Sequence, residues 1–154
     1  MTVSNTPGVM KKSGRAAWKF QTTFSTPLKS LDAFVSTILP DHGGFERASV
    51  TIDEIVFDPK TLNALLANSS LSANLGHDWS IADEGKENVR KLLVASLSDW
   101  VDFLFVPVPK PFVIYADHDE FTTFYANTKS NLNRVVPALL DKGFSQVPDY
   151  QRRL

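Results

Sequence analysis

Apolar positions recur every second residue in some stretches of the chain and every third or fourth in others, and the switches of period mark out its elements. Trp18, Phe20, Thr22 and Phe24 alternate with Lys19, Gln21 and Thr23, which predicts a strand covering a core on one side. Leu28, Leu31, Phe34, Val35 and Ile38 then fall on one helical stripe, with Thr26 as cap, Pro27 at the first helical position and Pro40 as the stop. After a turn at 41–44, Ala48, Val50 and Ile52 alternate again, and the break at Glu54 predicts a bulge or a change of face. Asp58-Pro59 opens a short helix through Leu62, Leu65 and Leu66.

Residues 68–80 read as the longest irregular connection. From Ser80-Ile81-Ala82-Asp83, whose spacing matches a capping box, a long helix is expected, with Val89, Leu92, Leu93, Leu97, Trp100 and Val101 as its buried stripe. Phe103–Val106 reads as a strand, and Pro107, Pro109 and Pro111 as a connector excluded from a central strand. The densest apolar stretch follows. Phe112–Tyr115 and Phe121–Tyr125 flank Asp117-His118-Asp119-Glu120, a β-hairpin with a buried base and an acidic tip. A last helix carries Leu132, Val135, Val136, Leu139 and Leu140, with a kink or restart expected at Pro137 and a left-handed cap at Gly143.

The element order, roughly β-α-β-α-α-β-β-β-α, predicts a single α+β domain built on a mostly antiparallel sheet of about five strands with helices packed on it. It is expected to span 15–145, between a flexible basic N-terminal arm (1–14) and a polar C-terminal tail (146–154). The length of 154 residues fits one domain, and 43% hydrophobic with 21% charged residues fits a globular chain rather than a disordered one. The chain has no cysteine, which excludes thiolate chemistry and disulfides. No apolar run is long enough to span a bilayer and the first ten residues lack a secretory core, so the expectation is a soluble, cytoplasmic protein without a membrane partner.

Charge alters this picture in one respect. The net charge of −1 divides into five cations and no acid before Asp32, against 11 cations and 17 acids from Asp32 onward. A basic strip with interleaved rings (Trp18, Phe20, Phe24) across residues 1–31 is one way to bind single-stranded nucleic acid, although a half-buried strand explains the same alternation in full.

Candidate chemistry gathers at three Asp–His pairs, Asp41-His42, His77-Asp78 and Asp117-His118-Asp119. Histidine and carboxylate are ligands for zinc, manganese or iron, so His42, His77, Asp78, His118 and Asp119 form a candidate divalent-metal set should their loops converge. The tip Asp117, His118, Asp119 and Glu120 also suits acid–base work, or contact with a partner, and Trp79, in the long loop beside His77 and Asp78, is a candidate aromatic anchor or a lid for the core. There is no phosphate-cradling glycine loop, nucleophile elbow, dinucleotide fingerprint, zinc-finger or helix-turn-helix signature. The expectation is therefore a regulatory or interaction module without catalysis, binding another protein or itself. A metal-dependent hydrolase using the Asp–His pairs is the alternative, and nucleic-acid binding through the basic arm the second.

Overall fold

A computed structural model describes residues 1–40 and 45–154. The turn expected at 41–44, with His42, lies outside the described residues. The chain is a single α+β fold. Its elements are β1 (Thr2–Asn5), α1 (Val9–Arg15), β2 (Phe20–Ser25), α2 (Leu31–Ile38, led in by a 3₁₀ turn at Leu28–Ser30), β3 (Arg47–Glu54) and α3 (Lys60–Asn68). There follow β4 (Trp79–Glu84), α4 (Lys86–Ser98), β5 (Asp102–Val108), β6 (Val113–Ala116), β7 (Phe121–Ala126), α5 (Lys129–Leu132) and α6 (Val135–Asp141). The strands form one sheet in the order β1-β4-β3-β5-β6-β7-β2, every neighbouring pair antiparallel. No helix among the described residues is long and apolar enough to cross a membrane.

The alternation seen in the sequence sorts residues onto two faces. One row runs Ile81, Val50, Phe105, Ile114, Phe124 across five strands. All five are fully buried, in a core completed by Leu31, Phe34, Val35 and Ile38 of α2, Leu62 and Leu66 of α3, Val89, Leu92 and Leu93 of α4 and Leu139 of α6. The next row, on the opposite face, runs Ser80, Thr51, Leu104, Tyr115, Thr123, Thr23. It turns from polar to apolar and back: the Thr51 and Ser80 hydroxyls meet at 2.7 Å, those of Thr23 and Thr123 at 2.8 Å. Between them Leu104, Val113, Tyr115 and Tyr125 make a second buried cluster.

No core helix covers that second cluster. Its cover is Met10 from α1, Trp18 from the segment before β2, and Leu154. Residues 1–14, read from sequence as a flexible lead-in, thus carry a strand and a helix, and 146–154, read as a polar tail, run along β2 and then over the sheet. Gln146 bridges to Phe24, and the Val147 N–H donates to the Thr23 carbonyl at 2.8 Å. The Leu154 carbonyl approaches Gly14 so closely that any Cβ there would collide with it.

Two further expectations need correction. The strand count rises from about five to seven, since β1 and β4 were unforeseen. Ser80–Glu84 opens no helix: Ile81 and Asp83 point to one side and Ser80 and Ala82 to the other, and Ser80 uses its hydroxyl on Thr51 and Thr6 rather than on a helix N-terminus. Gly85, with φ 87°, makes the turn from which α4 starts at Lys86. Pro107 lies inside β5, opposite Ala48 of β3, at a point where β6 pairs only as far as Phe105, so no donor is missed on that side. The irregular pairing between Ile52 and Glu54, the helix restart before Pro137 and the cap at Gly143 (φ 82°) follow the sequence pattern. The Phe144 N–H reaches the Leu139 carbonyl at 3.1 Å, and its ring packs edge-on against Phe34 at 5.1 Å.

Phe105→Ala, in the helix-covered core, is expected to cost about 3–5 kcal/mol in chemical denaturation. Phe57→Ala, at a position 54% exposed, should stay within about 0.5 kcal/mol of wild type.

Candidate functional site at the acidic end of the sheet

Strand directions bring the C-terminal ends of β3 and β6 and the N-terminal ends of β5 and β7 to one end of the sheet. Carboxylates crowd there: Asp53 and Glu54 at the end of β3, Asp99 and Asp102 where α4 passes into β5, and Asp117, Asp119 and Glu120 in the hairpin turn. Asp58 follows two exposed apolar residues, Val56 (45% exposed) and Phe57 (54%), in the β3–α3 connection.

The turn is less wet than its composition suggests. Asp119 and Glu120 are exposed, but Asp117 is only 3% exposed. Its Oδ1 accepts the N–H groups of Asp119 (3.1 Å) and Phe121 (3.2 Å), which folds the turn, while Oδ2 receives Arg152 Nη1 at 2.6 Å. Burial raises the acid's pKa, against the Phe121 N–H and the Arg152 guanidinium, which lower it. Arg152 Nη2 also donates to the Tyr115 hydroxyl at 3.0 Å, and that hydroxyl donates to Asp53 Oδ2 at 2.7 Å. Burial and then the Asp53 bond push the Tyr115 phenol far above its ordinary range, so it stays a neutral relay between guanidinium and carboxylate.

His118 stands beside this chain. Asp102, 3% exposed, accepts both its backbone N–H (2.7 Å) and its Nδ1 (2.8 Å) through the same oxygen, and Nε2 faces Asp119 at 3.9 Å. The Asp102 bond raises the imidazole pKa, and nearby carboxylates add to it. The arrangement favours a fixed imidazolium. His77, at the same end, is largely exposed, with Nδ1 2.9 Å from the Asp53 carbonyl; that bond, with Asp78 and Asp53 nearby, raises its pKa. Asp78 serves α1, its two oxygens taking the N–H groups of Gly8 (2.7 Å) and Met10 (3.2 Å) at the helix start.

The candidate set is thus partly gathered. Asp117, His118, Asp119 and Glu120 lie together, with His77 and Asp78 reaching the same end through Asp53. Trp79 does not stand in a loop as an exposed anchor; it begins β4 and packs against the main core. His42 lies outside the described residues. Among the described residues no group of three or more His, Asp or Glu side chains is disposed to hold a metal ion.

Four residues of this end escaped sequence reasoning: Asp53, Asp102, Tyr115 as a hydroxyl, and Arg152. Asp102 carried a signal, as a carboxylate at the head of an otherwise apolar strand. The two largest clefts described lie elsewhere. One of about 490 Å³ is bounded by Arg47, Ser49, Glu84 and Val108 at the opposite end of the sheet, and one of about 540 Å³ by α3 and α4. Comparison of the chain with protein-family models, curated proteins and solved structures finds no match.

In an NMR titration the His118 pKa should lie above the ordinary 6.5, and Asp102→Asn should bring it down. Because the folded value is the raised one, the stability this bond adds is fully present below pH 6.5 and is lost as pH rises through the folded pKa. A wild-type ring titrating at or below 6.5 contradicts the assignment.

Proposed function

We propose that this chain is a protein-binding module that offers the acidic end of its sheet to a basic surface of another protein. The observation that carries the reading is the juxtaposition there of exposed carboxylates (Glu54, Asp58, Asp119, Glu120) with the exposed side chains of Val56 and Phe57. Charge of one sign steers a basic partner and selects against acidic ones, while an aromatic and a branched aliphatic residue supply the apolar contact that holds it. The turn that carries Asp119 and Glu120 is tied down from beneath by Asp117 and Asp102, so these acids are presented by a fixed backbone. The two larger clefts lie away from this end, and the one that reaches it, of about 310 Å³ beside Trp100 and Glu120, is lined by none of Asp53, Asp102, Asp117 and His118, which favours a surface contact over a small-molecule reaction among these side chains.

The test is affinity capture from the source lysate at low and high salt, with recovered proteins identified by mass. Wild type should retain a basic protein, with salt-sensitive recovery, that Asp119→Lys/Glu120→Lys loses and Phe57→Ala holds at least about tenfold less tightly. Equal capture by all three contradicts the reading.

A further inference from the structure

The segment 149–154 is seated on the sheet as a bound peptide would be. Tyr150, Arg152 and Leu154 are turned toward the sheet and partly buried, whereas Asp149, Gln151 and Arg153 between them are exposed. That is the period-two pattern of an extended ligand. Tyr150 lies on the Phe121 ring with centroids 4.4 Å apart, and Leu154 enters the apolar cluster of Leu104, Val113, Tyr115 and Tyr125. Between them the Arg152 guanidinium lies over the Tyr115 ring at 4.2 Å from its centroid and reaches Asp117 Oδ2 and the Tyr115 hydroxyl. Side chains of the sheet also hold its peptide group: Gln21 Oε1 accepts the Arg152 N–H at 3.0 Å, and the Tyr125 hydroxyl donates to the Arg152 carbonyl at 2.9 Å.

Besides Tyr150 of the segment itself, the groups that grip Arg152 belong to β2, β6, β7 or the hairpin turn, and the two that meet its guanidinium from the sheet are positioned without help from 149–154. Asp117 is fixed by the turn it folds, and the Tyr115 hydroxyl is oriented by Asp53. Removing the guanidinium would leave Asp117 Oδ2 buried without its countercharge, a state costly enough that the groove keeps its demand for a cation. An aromatic floor, a buried carboxylate and a fixed hydroxyl acceptor suit the planar, multi-donor arginine head better than a lysine ammonium.

We propose that this groove is an arginine-recognition site occupied by the chain's own residues 150–154. It takes, in exchange, an extended segment of a partner protein bearing an aromatic residue, an arginine and a leucine at alternate positions. The inference stands apart from the acidic-end proposal, since charge reversal at Asp119 and Glu120 leaves Tyr115, Gln21 and the Leu154 cluster intact.

The probe is the free acetylated peptide Asp-Tyr-Gln-Arg-Arg-Leu, titrated by calorimetry and NMR into the full chain. The Arg152→Ala chain, whose groove is vacant at its centre, should bind the peptide at least about tenfold more tightly than wild type. Replacing the first arginine of the peptide by lysine, or Asp117 by Asn in the Arg152→Ala chain, should weaken that binding about tenfold or more. In wild type, exchange of the Arg152 amide proton should be much faster than that of the Phe124 amide, because the segment opens locally. A folded Arg152→Ala chain that ignores the peptide, or binds it regardless of its arginine, overturns the proposal. So does an Arg152→Ala chain that fails to fold, or an Arg152 amide as slow as Phe124, since either makes the segment an integral part of the fold. Wild-type dimers formed by mutual exchange of 149–154 would assign the groove to a second copy and overturn the partner assignment.

Discussion

A carboxylate as deeply buried as Asp117 must be met by hydrogen bonds and a countercharge, and both arrive from definite places. Two backbone N–H groups of its own turn occupy one oxygen, which fixes the β6–β7 hairpin, and Arg152 occupies the other, 35 residues away. The second contact has a wider consequence. The middle of the sheet is apolar on both sides, because β6 buries Ile114 and Ala116 toward the helices and Val113 and Tyr115 away from them. The core helices α2, α3, α4 and α6 cover one face only. The other is closed by Met10, Trp18 and Leu154, and the Asp117–Arg152 pair sets the path of the segment that brings Leu154 there.

Three other aspartates of this region, Asp78, Asp99 and Asp102, supply acceptors to backbone donors far away in sequence. Asp78 receives the start of α1. Asp99 receives the N–H groups of Thr61 and Leu62 at the start of α3 at 3.2 and 2.7 Å, so that helix is capped from the end of α4 and not by Asp58 beside it. Asp102 receives His118. Carboxylates whose lone pairs already serve helix starts and turns are poorly placed to act as metal ligands as well. The acids left exposed at this end are Glu54, Asp58, Asp119 and Glu120, and their carboxylates hold no turn or helix start in the way that Asp117, Asp99 and Asp102 do.

The elements with clean periodicity were legible in the sequence, and those whose pattern depends on a distant partner were not. Strands β2, β3, β5, β6 and β7 and the stripes of α2, α3, α4 and α6 follow from alternation and helical spacing, because each buries a full face. β4 was hidden by Ser80-x-x-Asp83, a spacing that serves a capping box in one context. Here it is two side chains on opposite faces of a strand. β1 has a single partner strand and mostly exposed side chains, so its four residues show no apolar alternation. The hairpin tip could be located from its residues, but not the division between buried Asp117 and exposed Asp119, which is set by Arg152 and by the turn's own N–H groups. Likewise nothing local to Tyr150, Arg152 and Leu154 marks them as inward-facing; only the sheet beneath them does.

The central claim is that the Asp117–Arg152 pair holds the second face of the sheet closed, and a double-mutant cycle tests it most directly. Unfolding free energies of wild type, Asp117→Asn, Arg152→Ala and the double variant would be measured in denaturant at pH 7. A coupling of about 1–3 kcal/mol is expected, with the Asp117→Asn cost largely absent once Arg152 is gone. Costs that simply add, within about 0.5 kcal/mol, would show that the two side chains act independently and would contradict the account.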